Sequence, residues 1–185
     1  MAITWLASVL REANLTVIEV DGWRNRARPG TFAPQGVLVH HTGSPVRATD
    51  ANPAPSKQTV INGRSDLAGP LCHVLVDWRG RCHVIAAGRA NHAGEARASG
   101  PMPAGDGNAL YVGIEVDYSA FAVDPPQYRS NVQQMSTVVA TAAILKRLGS
   151  GFRKARAHKE TSVTGKTDPW PWDMEAFRTG VQNYM

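Results

Sequence analysis

The sequence predicts a single α/β domain in which a long amphipathic helix covers a sheet of buried strands. Residues 36–43 and 109–117 are apolar runs rich in β-branched residues, and such runs are typical of buried strands. Residues 127–148 are the longest segment with helical apolar periodicity, and Gly149 stands at its end. A chain of 185 residues with 43% hydrophobic content is long enough to bury one proper core.

The N-terminal quarter predicts a helix, a short strand and a loop. Residues 3–14 carry apolar side chains at helical spacing, and Asn14 is predicted to end this helix. Residues 16–20 predict a strand, and the Arg-, Pro- and Gly-containing residues 21–35 predict a loop with a basic edge. After the strand at 36–43 and a second loop, Ser56 predicts the N-cap of a helix that runs through Arg64.

Two short apolar runs, residues 72–76 and 81–85, flank Asp77-Trp78-Arg79-Gly80 and predict a β-hairpin. Cys72 would lie at the far end of this hairpin and Cys82 near its turn, so we expect no disulfide between them. A final helix is predicted over residues 173–183. The apolar face of the long helix is predicted to comprise Val132, Met135, Val138, Val139, Ala142, Ala143, Leu145 and Leu148.

Charge and composition limit the classes of partner. A net charge of +5 and a pI near 9.6 indicate a polyanionic partner, either nucleic acid or an anionic cell-wall polymer. No run is long and apolar enough to span a bilayer, and the first residues lack the basic and apolar regions of a Sec signal peptide. We therefore expect a protein that is made in a cytoplasm and does not insert into membranes.

Polar residues interrupt the two buried strands. His40 and His41 end the first strand, and strand alternation sends them to opposite faces, so at most one of them faces a given site. Glu115 lies between Ile114 and Val116 in the other strand. A buried carboxylate is costly unless it is paired or works as a base, so Glu115 is either a functional group or part of a solvated face.

A third polar group lies in residues 157–169, a loop-like segment without an apolar face. Its members are His158, Lys166 and Asp168. Because Asp168 precedes Pro169, its backbone is driven towards the extended region, and Lys166 and Asp168 should project to the same side. The alternative interpretation is an ordinary surface loop.

Together these segments predict a catalytic metal centre. Two imidazoles and one carboxylate form a ligand set for catalytic zinc, which lowers the pKa of a coordinated water to about 7. Glu115 would accept the proton of that water and pass it to a leaving amine, while Lys166 would stabilise an oxyanion. The chemistry is amide hydrolysis without a covalent intermediate. The candidate residues are His40 or His41, Glu115, His158, Lys166 and Asp168.

The same residues carry a resemblance to a known family. His40-His41-Thr42, Val112-Gly113-Ile114-Glu115 and His158 followed by Lys166-Thr167-Asp168-Pro169 closely resemble the zinc-dependent N-acetylmuramoyl-L-alanine amidases, over residues 36–173. That group includes phage lysozyme-type amidases, bacterial muropeptide amidases and peptidoglycan recognition proteins.

The resemblance implies a role for each of these residues. His40, His158 and Asp168 would bind one Zn²⁺, Glu115 would be the general base, and Lys166 would polarise the carbonyl. It also implies a central mixed β-sheet with helices on both sides, and a groove over the zinc rimmed by Asn91-His92-Ala93-Gly94. His41, Asn91 and His92 are therefore candidate substrate contacts.

One position departs from the family pattern. In the phage lysozyme-type and recognition-protein branches a tyrosine precedes the apolar run of the hairpin, and here Cys72 takes that place. A thiol does not reproduce the reach or acidity of a phenol. The assignment of Glu115 and Lys166 as catalytic groups, which is typical of the muropeptide amidase branch, is therefore preferred.

Three functions are compatible with these residues. The first is a phage endolysin that cuts the amide between N-acetylmuramic acid and L-alanine in intact wall, released to the wall by a holin-type route. The second is a cytoplasmic amidase that recycles soluble muropeptides, and the third is a non-catalytic peptidoglycan-binding module. We expect residues 1–185 to form one catalytic domain with its core at 36–183, acting as a monomer on peptidoglycan and not on nucleic acid.

Overall fold

The computed structural model describes residues 2–47, 49–120 and 129–185. The strands are β1 (Val17–Glu19), β2 (Gly36–His41), β3 (Gly63–Arg64), β4 (Leu67–Ala68), β5 (Val74–Val76), β6 (Cys82–Val84), β7 (Glu95–Ala96), β8 (Gly105–Asp106), β9 (Tyr111–Val116) and β10 (Ala155–Ala157). The helices are α1 (Leu6–Glu12), α2 (Lys57–Asn62), α3 (Gly107–Leu110), α4 (Asn131–Arg147), α5 (His158–Thr161) and α6 (Met174–Asn183), with a 3₁₀ turn over Phe152–Lys154.

A mixed sheet forms the centre of the fold, in the order β1-β6-β5-β9-β2-β10. Strands β5, β9, β2 and β10 are parallel neighbours, whereas β5 and β6 are antiparallel and form the predicted hairpin. The α/β class and the central mixed sheet are therefore confirmed. Both cysteines are free and buried, as their places in the hairpin predict.

The two faces of the sheet are covered differently. One face packs against α1, α4 and α6, and it contributes alternate residues such as Val37, Val39, Val112 and Ile114 to the main hydrophobic core. The other face carries two smaller apolar clusters, one around Leu75 and one around Leu38. Because short helices and loops cover this second face, there is room at its edge for a cavity.

The predicted apolar face of the long helix is wrong at its N-terminal end. Val132 and Met135 are 54% and 52% exposed, whereas Gln133 and Thr137 are fully buried. Gln133 satisfies its amide by donating to the Asp117 carbonyl at 3.0 Å, and Thr137 Oγ1 donates to the Gln133 carbonyl at 2.7 Å. Burying these polar groups costs little once they are hydrogen-bonded, so the helix turns this side towards the sheet.

Three predicted helix boundaries can be compared with the described residues. The predicted start of the long helix at Gln127 lies outside the described residues, and α4 begins at Asn131. Ser56 precedes α2 as predicted, but its side chain makes no capping bond. Its Oγ lies 2.6 Å from Asp117 Oδ1, and this buried carboxylate is the stronger acceptor. Asn14, at φ 59°, ends the N-terminal helical segment as predicted.

The N-terminus of α4 is held by a capping box that can be tested alone. Ser130 Oγ accepts the Gln133 N–H at 3.1 Å, and Gln133 Oε1 accepts the Ser130 N–H at 2.9 Å. We expect Ser130→Ala to lower the free energy of unfolding by about 1 kcal/mol, the usual value of such a cap. Urea denaturation measures the change. Ser8→Ala, at an exposed site in α1, is the control, and an equal loss in both variants would contradict the assignment.

Candidate active site

Strand register brings three predicted site residues to one edge of the sheet. His40 is the direct neighbour of Glu115 across the β2–β9 pair. Val39 is paired with Ala157, the last residue of β10, so His158 follows immediately beside His40. Because these strands are parallel, their carboxyl ends meet at the same edge, and the three side chains gather there.

His40, His158 and Asp168 form a compact group of potential metal ligands. Asp168 Oδ2 lies 3.1 Å from His40 Nδ1 and 3.2 Å from His158 Nδ1. One ligand atom from each residue lies within 4.8 Å of the other two. A tetrahedral zinc with bonds of about 2.0–2.1 Å holds its ligand atoms roughly 3.3 Å apart, so the two distances to Asp168 match zinc spacing, and two imidazoles with one carboxylate match its chemistry.

The protonation states of His40 and Asp168 also favour metal binding. Burial lowers the pKa of His40 to about 4, although the hydrogen bond to Asp168 acts in the opposite direction. For Asp168, burial alone would raise the pKa, but the hydrogen bonds to His158 and His40 hold it well below its usual range. A neutral His40 and an ionised Asp168 are the states that metal binding requires.

Glu115 stands beside this group as a poorly solvated carboxyl. Its Oε2 is buried and has no hydrogen-bond partner within the described residues. Burial raises the pKa of Glu115 well above its ordinary value, and the negative charges of Asp168 and Asp117 add to the rise. The cations Lys166 and Arg64 act in the opposite direction. A carboxyl group with a raised pKa at the edge of a cavity has the properties of a general base.

A cavity of about 410 Å³ opens above these residues. Lys166 and Asp168 both line it, in agreement with the prediction that they project to the same side. The cavity also brings in Arg64, Leu67 and Leu71 from the β3–β4 region, which the sequence did not indicate. Its lining includes all the predicted site residues, namely His40, His41, Asn91, His92, Glu115, His158, Lys166 and Asp168.

The two consecutive histidines have different surroundings. Only His40 belongs to the metal-ligand group, as alternation predicts. His41 lies at the cavity wall, where its Nδ1 accepts the Trp170 N–H at 3.1 Å. A neutral His41 therefore carries its proton on Nε2 and has a donor there. Its predicted contact with substrate stays a prediction.

The predicted rim residues Asn91 and His92 are both anchored within the protein. Asn91 Nδ2 donates to the Ala68 carbonyl at 2.9 Å. His92 has both ring nitrogens within hydrogen-bonding distance of protein atoms, His40 Nε2 at 3.0 Å and the Tyr111 carbonyl at 3.3 Å. Burial lowers the pKa of His92 well below its ordinary value, so the ring is neutral. Substrate contacts by these two residues remain predictions.

Several residues that shape the site were missed. Asn108 Oδ1 accepts the N–H groups of His92, Ala93 and Gly94 at 2.8, 2.8 and 3.3 Å, and so fixes the loop that carries His92. Asp117 is buried and bonded to Thr42 Oγ1 at 2.8 Å. A signal existed for Asp117, which follows Glu115 by two residues and shares its side of the strand, but no local pattern marked Asn108.

Cys72 occupies a buried position below the site. Burial raises the pKa of its thiol well above the ordinary value, and the nearby charges of Glu115 and Asp117 raise it further. The residue is fully inaccessible to solvent and does not line the cavity. Cys72 therefore supplies neither an acidic proton nor a thiolate at neutral pH.

Comparison with known proteins agrees with this geometry. The family model described as N-acetylmuramoyl-L-alanine amidase matches residues 30–171. The chain belongs to this family. Its members are zinc-dependent, and the chain is accordingly an amidase enzyme with a candidate zinc site at His40, His158 and Asp168. A search of curated proteins found no match.

Solved structures share the fold at low sequence identity. A selenomethionine derivative of AmpD has a TM-score of 0.62 and 18% identity, covering 90% of this chain and 94% of AmpD. A mutant endolysin from Bacillus subtilis has a TM-score of 0.62 and 19% identity, covering 90% and 99%. AmpDh3 from Pseudomonas aeruginosa, in complex with anhydromuramic pentapeptide, has a TM-score of 0.61 and 19% identity, covering 88% and 65%.

Proposed function

We propose that this amidase acts as an endolysin, cleaving the amide between the lactyl group of N-acetylmuramic acid and L-alanine in intact cell wall. The observation that carries the proposal is the His40, His158 and Asp168 group facing Glu115 and Lys166 across one open cavity. A net charge of +5 favours approach to an anionic wall polymer. We take residues 1–185 as one catalytic domain that acts as a monomer.

In this proposal, His40, His158 and Asp168 hold one zinc ion. Bound zinc supplies Lewis acidity, which lowers the pKa of water to about 7 and polarises a carbonyl. The ring nitrogens that would hold the ion are His40 Nδ1 and His158 Nδ1, since both lie against the same Asp168 oxygen. The ionised Asp168 offsets part of the positive charge and keeps both rings in place.

Glu115 and Lys166 move the proton and stabilise the developing charge. Glu115 accepts a proton from the attacking water on its carboxylate and then donates it to the amine of L-alanine as the C–N bond breaks. Lys166 lines the same cavity as Glu115, and in this proposal its ammonium stabilises the oxyanion that develops there. The reaction has no covalent enzyme intermediate.

A second candidate function is the recycling of soluble muropeptides by the same chemistry. The structural likeness to AmpD equals the likeness to the Bacillus subtilis endolysin, with a TM-score of 0.62 in each case. The fold therefore does not separate a wall-digesting enzyme from a recycling one. The two functions differ in the size of the substrate, which an assay can distinguish.

The deciding experiment supplies the zinc-loaded amidase with purified sacculi and, separately, with small anhydro-muropeptides. We expect soluble fragments from sacculi, with new L-alanine amino termini detected by mass spectrometry and lost after treatment with a chelator. Activity confined to the small anhydro-muropeptides would replace the endolysin proposal with the recycling one. Binding to sacculi without new amino termini would instead indicate a non-catalytic wall-binding module.

The route to the wall is part of the same proposal. Among the residues that the structure describes, no helix combines the length and apolar character needed to cross a bilayer. We propose synthesis in the host cytoplasm followed by holin-type release. Expression in a bacterial host with and without a co-expressed holin tests it, and lysis of the culture is expected only with the holin.

A further inference from the structure

The imidazole of His92 lies against His40 on the side away from Asp168. His92 Nδ1 is 3.0 Å from His40 Nε2, and the two ring centroids are 5.2 Å apart with their planes at 88°. His40 Nδ1 faces Asp168. The contact with His92 therefore engages the one ring nitrogen of His40 that is not directed at the proposed metal.

The position of the His92 ring is set by its surroundings. Its backbone N–H donates to Asn108 Oδ1 at 2.8 Å. The ring lies directly over Gly113 of β9, where an added Cβ would come within 2.7 Å of His92 Cγ and Nδ1. Such a distance is far inside van der Waals contact, so the ring can occupy this place only because residue 113 has no side chain.

The Tyr111 carbonyl determines which nitrogen of His92 carries the proton. The carbonyl oxygen only accepts, and it lies 3.3 Å from His92 Nε2, so Nε2 must be the donor. Within the described part of the chain, the ring of His92 hydrogen-bonds to His40 and to the Tyr111 carbonyl and to no carboxylate that would offset a buried positive charge, so the ring is neutral and its Nδ1 holds a lone pair. That lone pair accepts the proton of His40 Nε2, which leaves the lone pair of His40 on Nδ1.

The opposite arrangement is disfavoured by the same contacts. If His40 carried its proton on Nδ1, its Nε2 lone pair would face His92, which would then have to donate from Nδ1. The Nε2 lone pair of a neutral His92 would in turn face the lone pairs of the Tyr111 carbonyl. One hydrogen bond would be replaced by a repulsive contact.

We propose that His92 is a positioning residue that fixes the tautomer and orientation of His40, so that Nδ1 is presented to the metal. The inference rests on the proposed zinc centre and assigns to His92 a role other than substrate contact. Ligand histidines generally donate their second N–H to an acceptor, and loss of that acceptor typically costs 10–100-fold in metal affinity. Here the acceptor is the imidazole of His92, whose other nitrogen is held by the Tyr111 carbonyl of β9.

The test measures zinc affinity, by competition with a chelator, in three variants. His92→Phe keeps an aromatic ring but removes the acceptor, and we expect zinc binding about 10–100-fold weaker. His92→Asn places Oδ1 near the position of Nδ1 and should retain most of the affinity. His83→Phe is the matched control, because His83 is buried in β6, contacts Asp77 and does not line the cavity. Its zinc affinity should equal that of the wild type.

Nitrogen-15 NMR of the zinc-loaded protein supplies a readout that a loss of packing would not produce. We expect an exchange-protected proton on His40 Nε2 in the wild type and loss of that protection in His92→Phe. Should His92→Phe fail to fold, Gly113→Ala displaces the ring and should also weaken zinc binding. Unchanged zinc affinity in His92→Phe, or in Gly113→Ala where that variant replaces it, would overturn the inference. A proton on His40 Nδ1 in the zinc-loaded wild type would also overturn it. A wild type that binds no zinc would overturn the metal centre and this inference together.

Discussion

Replacing His158 with alanine is expected to remove zinc from the amidase and to lower kcat/KM by about a thousandfold or more. Loss of one of three protein ligands withdraws Lewis acidity worth several kcal/mol in the transition state, and about 4 kcal/mol corresponds to a thousandfold in rate. His158 Nδ1 lies 3.2 Å from Asp168 Oδ2, and both residues belong to the ligand group. Metal content by elemental analysis and release of L-alanine amino termini from sacculi measure the two effects.

His83→Ala provides the control for this experiment. The replacement is chemically the same, but His83 lies in β6, which β5 separates from the strands that carry Glu115 and His40. His83 contacts Asp77 and does not belong to the ligand group. We expect this variant to lose stability while it retains zinc and activity at temperatures where it is folded. Wild-type zinc content in His158→Ala would rule out His158 as a ligand, and wild-type wall digestion by that variant would exclude the proposed mechanism.

Glu115→Gln is expected to lower kcat by about 10²–10⁴-fold while zinc stays bound. The size of the effect is that of removing a general acid–base, because the amide has the shape of the carboxyl group but cannot accept the proton. Zinc binding should persist, since the three ligand side chains are untouched. Steady-state kinetics and metal analysis on the same preparation separate this result from loss of the metal.

The same variant should change the pH dependence of stability in the metal-free protein. The pKa of Glu115 is raised above 4.5 by burial and by the charges of Asp168 and Asp117, so the folded state holds its proton more tightly than the unfolded state. The resulting stabilisation is complete below pH 4.5 and is lost as pH rises through the folded-state pKa. Urea denaturation across this range should show Glu115→Gln gaining stability relative to the wild type as pH rises. A constant difference would contradict the raised pKa.

Much of the fold could be predicted from local patterns. The strands β2 and β9, the β5–β6 hairpin and the helices α1, α4 and α6 all follow from apolar periodicity and from turn residues, because burial of a continuous apolar face dominates their stability. The face of α4 could not be predicted in this way. Gln133 and Thr137 are buried because tertiary partners and the helix backbone satisfy their polar groups, and hydrophobicity alone does not contain that information.

The candidate site, like the fold, could be predicted from the sequence only in part. His40, Glu115, His158 and Asp168 could be selected from the sequence because they lie at strand ends or in a segment without an apolar face, and because their spacing resembles a family pattern. Their assembly depends on the pairing of β2 with both β9 and β10, which joins residues 75 and 118 positions apart in the chain, such as His40 with Glu115 and Val39 with Ala157. Asn108 carried no local signal, since an asparagine at the end of a Gly- and Pro-rich segment is ordinary until its three backbone partners are known.

By itself, the sequence determined the chemical inventory of this amidase, namely two imidazoles, two carboxylates and a lysine, together with the strands and loops that carry them. Only the tertiary structure decided which atoms face one another. The directions of the His40 nitrogens, one towards Asp168 and one towards His92, follow from strand register and from the space left at Gly113. Hydrogen bonds are directional and short-ranged, so they become defined only when packing has fixed the distances between distant segments.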